Sequence, residues 1–384
     1  MTSVAFALSA FFLALAAHSF IFYPLSLIIL RRFRRRPLGN ATPPAAELTF
    51  SVCVCAHNEA GVIRDKVANL LAVRERTPNL EILVYDDASS DGTTEILREF
   101  QDQLTLVVSR ERTGKTVGMN RLVSMSHGGI VVFSDANVMI DPDALANLER
   151  YFADPEVGCV CGHLKYLNGD QSVTAKNGSD YWRLEEFIKQ LESDTGSVVG
   201  ADGSLFAVRR SLHRPVPEDL IDDLYVSMSV LLDGYRVVRG ADVLAFENSA
   251  LGARDEFRRK IRIACQAFNV HGHLWPRIKR LDLLNLYKYV SHKPLRWATI
   301  YSVLLAAVFL FIGVAGATDW RVASALMAVA AGILALGQAF RIAPIYKLVD
   351  GLIVTAGTGI GLLYSIRGKR FQTWTPVASI RGAK

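Results

Sequence analysis

Four long apolar segments decide where this chain can reside. Val4 to Leu30 runs 27 residues without an acid, lysine or arginine, Ala298 to Thr318 runs 21, Val322 to Phe340 runs 19, and Gly351 to Ile366 runs 16. At a rise of ~1.5 Å per residue the first three can cross a ~30 Å hydrocarbon layer, and the fourth is marginal. Of 384 residues 51% are apolar and only 21% charged, which excludes a purely soluble or a disordered protein. Five cysteines are too few, and odd in number, for a disulfide scaffold. The first apolar run lacks the basic start of a secretory signal peptide and is too long for one. Behind it stand Arg31, Arg32, Arg34, Arg35 and Arg36, which the positive-inside rule places in the cytoplasm. The chain from about Glu47 to Leu295 is then expected to be cytoplasmic, with its thiols reduced, in a multi-pass protein of the inner (plasma) membrane. Three further spans would carry the C-terminus outside, yet Arg367, Lys369, Arg370, Arg381 and Lys384 prefer the inside. The expected resolution is that the short fourth segment lies in the interface or re-enters.

Between the membrane segments the pattern changes. The chain divides into an N-terminal span with its basic flank (1–36), a Pro/Ala linker (37–47), a catalytic-size domain (48–253), basic amphipathic helices (254–296), C-terminal membrane helices (297–366) and a basic tail (367–384). In the domain, Thr49–Ala56, Glu81–Tyr85, Leu104–Val108 and Ile130–Ser134 read as short buried strands. Helical patterns at Ile63–Arg74, Thr93–Phe100 and Lys115–Met125 separate them. This βαβα order predicts a mostly parallel, doubly wound sheet, in which ligands bind beyond the carboxyl ends of the strands. The polar groups expected at those ends are His57, Asn58, Glu59, Asp86, Asp87 and Asp135. From Arg254 to Arg280 the chain carries eight basic residues against two acids, interleaved with apolar ones and followed at once by a span. That reads as helices lying on membrane lipids rather than as a nucleic-acid surface.

Several short motifs carry chemistry. Asp86 and Asp87 end a strand in VYDDASSDGT. A turn and helix cap account for Ser89, Ser90 and Asp91, whereas adjacent strand-tip acids suit a nucleobase imide or ribose hydroxyls. In FSDAN, Asp135 and Asn137 are two apart and suit Mg²⁺ or Mn²⁺ shared with a diphosphate, an Asx turn being the plain alternative. SRERTGKT nearly spells a phosphate-binding P-loop, but Ser109 replaces the first glycine and Arg110, Glu111 and Arg112 fill the loop. Lys115 remains a candidate for reaching a diphosphate. Asp222 and Asp223 open a helical stretch; the helix dipole favours acids there, and two adjacent like charges also raise one pKa toward that of a general base. Gly200–Phe206 (GADGSLF) lets backbone approach a substrate. Arg258, Arg259 and Arg262 can face a diphosphate or lipid phosphates. Cys53/Cys55 and Cys159/Cys161 have strand spacing and read as small buried core residues, not a zinc site.

Taken in order, CAHNEA (55–60), VYDDASSDGT (84–93), GKTVGMN (114–120), FSDAN (133–137), GADGSLFAVRR (200–210), IDDLYVS (221–227) and RRKIRI (258–263) resemble the motifs of membrane-bound family 2 glycosyltransferases, similar to bacterial polysaccharide synthases. The resemblance covers roughly residues 48–263. It implies an α/β fold, a GT-A-like doubly wound mixed sheet in a cytoplasmic domain flanked by transmembrane helices. It implies inverting transfer from a nucleotide-sugar donor, a UDP-sugar first, to a lipid-linked or growing polysaccharide acceptor, with Mg²⁺ or Mn²⁺ held by Asp135 and Asn137. Asn58, Glu59, Asp86, Asp87, Lys115, Asn120, Asp135, Arg259 and Arg262 would bind the donor. Gly200, Asp202, Gly203 and Asp222 would face the acceptor, and Asp223 would be the catalytic base. Asn137 stands where the family's metal motif has a second Asp. Arg259 stands where its QxxRW motif has Gln, and Ile263 where that motif has Trp, which favours transfer of a single sugar over chain elongation. A nucleotide hydrolase built on SRERTGKT and a non-catalytic membrane scaffold are the readings from other classes.

Overall fold

The computed structural model describes residues 1–36, 48–167, 173–248 and 253–373. The linker 37–47, Arg381 and Lys384 lie outside the described residues. One long apolar helix opens the chain as α1 (Thr2–Ala17) and α2 (Tyr23–Phe33), joined by a π turn at His18–Phe22. The domain begins with β1 (Phe50–Ala56), α3 (Ile63–Arg76), β2 (Leu80–Asp86), α4 (Thr93–Arg98), β3 (Thr105–Val108), α5 (Lys115–Met125) and β4 (Ile130–Asp135). It continues with β5 (Met139–Ile140), α6 (Ala144–Phe152), β6 (Val157–Tyr166), α7 (Val173–Asp194), β7 (Leu205–Arg209), α8 (Asp222–Leu232) and β8 (Arg236–Glu247). Beyond it come α9 (Ala253–Ile278), α10 (Leu283–His292), α11 (Pro294–Trp297), α12 (Thr299–Ala317), α13 (Trp320–Ala339) and α14 (Ala343–Ile366).

The strands form one sheet in the order β3-β2-β1-β4-β7-β6-β8-β5. β3, β2, β1 and β4 are mutually parallel, as βαβ crossovers demand. β7 runs antiparallel to both β4 and β6, and β5 antiparallel to β8, so the sheet is mixed. β1 is buried along its whole length because both sheet faces are covered. Its alternation sorts the cores. Val52 and Val54 pack with α3, α4 and α6 on one side, while Cys53 and Cys55 pack with α5, α8, α9 and α10 on the other. All five cysteines are free and buried, the expected core role.

Among the described residues, four helical stretches are long and apolar enough to cross a membrane: Thr2–Phe33, α12, α13 and α14. α1 and α12 run antiparallel in close contact, with Gly313 against Phe6, Gly316 against Thr2, and the Ser9 hydroxyl donating to Ala306 O at 2.9 Å. The last turns of α14 pack on α9 and on the start of α12. A Cβ on Gly361 would lie 2.5 Å from Ile261 O of α9, and Tyr301 at the start of α12 donates to Gly359 O at 2.7 Å. Thus α12 begins, and α14 ends, on one side.

A buried polar network fastens the membrane helices to the domain. His292 lies between Glu192 and Glu185 at 2.7 and 2.8 Å. Glu192 also accepts from Tyr23 of α2, and Glu185 from Arg296 of α11. Glu185 is held well below the usual carboxylate range: burial opposes its charge, but Arg296 and His292 outweigh that cost.

Candidate active site

Strand register brings the first acids to one edge. In the parallel ladder Asp86 is opposite Ala56, and Asp135 is opposite Cys55, so both lie at the carboxyl end of the sheet on either side of β1. Asp86 is fully buried and accepts from Ser89 N at 3.1 Å and from the Thr94 hydroxyl. Asp87 is also fully buried. Its oxygens accept from Thr113 N (2.7 Å), the Thr113 hydroxyl (3.0 Å), Gly114 N (3.1 Å) and Arg112 Nε (3.2 Å). Those four bonds fill the acceptor capacity of a carboxylate. Asp87 therefore shapes the Arg112–Gly114 loop, while Asp86 keeps acceptor capacity. The same bonds dispose of the P-loop reading, because the amides of Thr113 and Gly114 point at Asp87 and not into a phosphate cradle. Asn58, at φ +53°, accepts from Ser90 N at 2.8 Å, and Glu59 N donates to the Thr93 hydroxyl at 2.8 Å, so the β1 tip is tied to the VYDDASSDGT turn.

Lys115 is the centre of the acid cluster. The Asp87-shaped loop sets it at the first turn of α5, and its ammonium pairs with Asp135 Oδ1 at 2.7 Å and Asp222 Oδ2 at 3.5 Å. Burial disfavours the Lys115 charge, yet Asp135, Asp222 and Asp223 outweigh burial and raise its pKa. Asp222 is 2% exposed, and its Oδ2 has no hydrogen bond. Asp223 opens toward Gly203. Burial first, and then Asp222, push its carboxyl up to about 7, against the pull of Lys115 and a 2.5 Å bond from Leu224 N. Gly203 forms the floor: a Cβ there would stand 2.9 Å from Asp223 Oδ2 and 3.3 Å from Lys115 Nζ. Gly203→Ala is therefore expected to keep the fold and the melting temperature while lowering turnover at least tenfold. Equal turnover in glycine and alanine enzymes would mean that this floor is not part of the reacting space.

The remaining expected residues divide. Asp202 accepts from Lys189 Nζ at 2.6 Å and from the Ser204 hydroxyl, and acts on Asp223 and Glu247 through its charge. Gly200 has φ +88°, and a Cβ would stand 2.5 Å from Leu224 Cδ1. Arg262 on α9 is depressed by burial and by Arg259 and is supported by the charges of Asp135 and Asp223, and its guanidinium donates to Gln266 Oε1 at 3.2 Å. Asn120 does not fit its expected donor contact. Its amide donates to Val216 O at 2.8 Å and accepts from Val216 N at 2.9 Å, a clamp on the approach to α8. Glu247, at the end of β8, was not expected. It accepts from Asn137 Nδ2 at 2.8 Å, and burial pushes its carboxyl up to about 7 against the pull of Arg259. The signal that marked Asp135, an acid at a strand tip, was present in FEN too, but β8 itself was not recognised.

The donor set suits a hard, weakly chelated cation. The Asp135 side chain is 39% exposed, and Asn137 contributes a carbonyl oxygen two residues on. Among the described residues no three His, Cys, Asp or Glu side chains form a complete cage. One carboxylate with substrate oxygens is how Mg²⁺-like ions are held.

Comparison with known proteins agrees with this geometry. Residues 51–216 match the family model "Glycosyl transferase family 2". The mannosyltransferase PcManGT from Pyrobaculum calidifontis, solved with GDP-Man and Mn²⁺, superposes with a TM-score of 0.74 at 24% identity, covering 94% of this chain and 99% of that one. The poly-beta-1,6-N-acetyl-D-glucosamine synthase of Staphylococcus epidermidis is 24% identical over 274 residues, 68% of this chain and 65% of its own length. An N-acetylglucosaminyltransferase of Rhizobium leguminosarum bv. viciae is 22% identical over 227 residues, 53% of each chain. The chain thus spans between half and two thirds of these curated relatives. The fold is GT-A-like, a mixed α/β sheet with apolar helices at its flanks.

Proposed function

We propose that the crevice transfers a sugar, with inversion, from a nucleoside diphosphate sugar to an acceptor hydroxyl at the inner face of the membrane. The observation that carries this reading is Asp223: a carboxyl pushed up to about 7 by burial and Asp222, packed against Gly203 and set in one cluster with Lys115 and Asp135. Asp223 takes the proton as the acceptor oxygen bonds to the anomeric carbon. The bond from that carbon to the diphosphate breaks, and the nucleoside diphosphate leaves. Lys115, Arg259 and Arg262 meet the charge that develops on the leaving group. Asp135 and the Asn137 carbonyl would hold Mg²⁺ or Mn²⁺, which supplies further neutralisation of the diphosphate. Asp86, with Asn58 and Glu59, lies at the tip of β1 and β2 where the nucleoside would rest. The acceptor is a lipid-linked or growing polysaccharide chain, since α9 carries the arginines and also packs on α14. Single-sugar transfer is favoured over elongation by Ile263, and product length on a gel separates the two.

The test is hydrolysis of a nucleotide-sugar panel by purified protein with Mg²⁺ and with Mn²⁺. A UDP-sugar is the first expectation. GDP-mannose and UDP-N-acetylglucosamine belong in the panel because of the relatives' printed activities. One donor is expected to be consumed, with loss in chelator. ATP or GTP turnover with every nucleotide sugar left intact would overturn the proposal.

A further inference from the structure

We propose that Lys189 is a positioning residue for the reaction: from α7 it holds and neutralises the Asp202 carboxylate, and so leaves Asp223 free to act as the base. This rests on the glycosyl-transfer reading and adds to it a group that the sequence motifs do not contain.

α7 carries two sets of charges. Glu185 and Glu192 share His292, and also bind Arg296 and Tyr23 of the membrane-side network. Trp182, Glu186 and Lys189 stand four and then three residues apart, the spacing of one helix face. There Arg239 Nε of β8 pairs with Glu186 Oε2 at 2.7 Å, and Glu186 Oε1 with Lys189 Nζ at 3.1 Å. Lys189 Nζ then pairs with Asp202 Oδ2 at 2.6 Å, and lies 4.6 Å from the centre of the Trp182 ring. Arg239, Glu186, Lys189 and Asp202 thus form a row of alternating sign that ends in the loop carrying Gly203. The other Asp202 oxygen accepts from the Ser204 hydroxyl. The loop is fixed on both sides of its turn: Val198 N donates to Val237 O at 2.7 Å, and Ala201 N to the Ser227 hydroxyl at 2.8 Å.

Burial explains why the row alternates. Lys189 is 3% exposed and Glu186 6%, and a lone charge at that depth is strongly disfavoured. Burial works against the Lys189 ammonium, but Asp202, Glu186 and Glu185 outweigh it and raise its pKa. Glu185 has its own partners in Arg296 and in the His292 that it shares with Glu192. His163 stands 4.0 Å from Glu186, but burial and Arg239 disfavour its charge. Asp202 is therefore the acid that Lys189 serves. Its charge acts on the crevice, since it raises both Asp223 and Glu247. The other charged groups around Asp223 are Asp222 on its own helix, Lys115 from α5 and Arg262 from α9. Lys115 is shared with Asp135 and Asp222, and Arg262 with Asp135. Both cations are committed to acids, so the offset to Asp202 comes from Lys189. Without it Asp202 would act on Asp223 as a bare charge, and like charges in one pocket resist ionising together. Burial and Asp222 already favour the protonated form of Asp223, so Asp223 is the group that would keep the proton.

The experiment follows hydrolysis of the donor found in the nucleotide-sugar panel, with Mg²⁺, across pH. Water stands in for the acceptor hydroxyl. Lys189→Met keeps the volume of the side chain and removes its charge. Its rising limb is expected at least one pH unit above that of the wild type. Well below the limb one unit is a tenfold loss of ionised base, so the rate at pH 6 should fall about tenfold. At pH 8.5 it should stay within about threefold of wild type. Adding Asp202→Asn to Lys189→Met removes the bare charge, and should bring the limb back to the wild-type position or below it. Affinity for UDP, then GDP, should stay within about threefold of wild type in both variants, which shows that they are folded. A single variant that loses this binding while the double variant keeps it supports the same pairing. A double variant that also loses it overturns the proposal, because Lys189 would then be structural. A wild-type limb in Lys189→Met overturns it too, as do equal losses at pH 6 and pH 8.5, or a limb that stays raised in the double variant. In each of these cases intact hydrolysis by the wild type leaves the glycosyl-transfer reading standing. A wild type that hydrolyses no nucleotide sugar removes that reading, and the proposal with it.

Discussion

Asp223→Asn is expected to lower transfer by about 10²–10⁴-fold, the usual worth of a positioned general base, while nucleoside diphosphate binding changes little. The amide keeps the shape of the side chain and its place beside Gly203, but cannot take a proton. The pH dependence gives a second signature. The base acts only when ionised, so the wild-type rate should rise through pH about 7, and this limb should vanish from the residual activity of the variant. Stability should move the opposite way. In the unfolded chain an aspartate ionises near ~3.9, whereas the folded Asp223 holds its proton to about 7. Across that window the unfolded chain binds fewer protons, so the contribution of this group to stability falls as pH rises. Asp223→Asn removes that cost. The variant should melt above the wild type at pH 8, with the gap closing toward pH 4. Near-normal turnover in the variant would sink the base assignment, and a lower melting point at pH 8 would sink the burial argument.

Asp135→Ala is expected to remove activity and divalent-metal binding together. Asp135 is the one carboxylate in the FSDAN motif, and its partner Asn137 is already engaged with Glu247 through its amide nitrogen. With Asp135 gone, Lys115 loses its 2.7 Å partner and turns on Asp222, now 3.5 Å away. Mn²⁺ titration followed by electron paramagnetic resonance in the presence of nucleoside diphosphate should show at least a tenfold loss of affinity, within the scale of ligand-shell changes. Unchanged Mn²⁺ affinity, or wild-type activity that survives in chelator, would remove Asp135 from the metal role.

The first half of the domain was legible because each of its signals is local. Strands such as Ile130–Asp135 announce themselves by continuous apolar residues, and the parallel order follows from alternation with helices. The reversal at β7 was not legible from alternation, because strand direction is settled by pairing between residues far apart, as when Val131 meets Val208. The same holds inside the site. That Asp135 lies at a strand end could be read; that Asp87 spends all its oxygens on the Arg112–Gly114 loop could not, since the partners are some 25 residues away. Asn120 sits within a motif of the right order, yet its amide is claimed by Val216, 96 residues on. Glu247 was missed for the converse reason. Its strand, β8, alternates irregularly and carries Gly240, so the period that flags a strand is broken. The membrane segments were read from length alone, and length does not report where a helix ends. The packing of Gly361 on α9, and the Arg370–Asp219 ion pair at 3.0 Å just past α14, show that α14 finishes beside the sheet domain.

The burial of every native thiol has a practical corollary. Cys53, Cys55, Cys159, Cys161 and Cys265 are all shielded by packing, so a single cysteine introduced on the surface would be the reactive one against an impermeant maleimide. Probes placed in turn at Thr318 and Arg341, the two connections that bracket α13, would then assign each bend to one face of a sealed vesicle without first stripping the protein of its own sulfur.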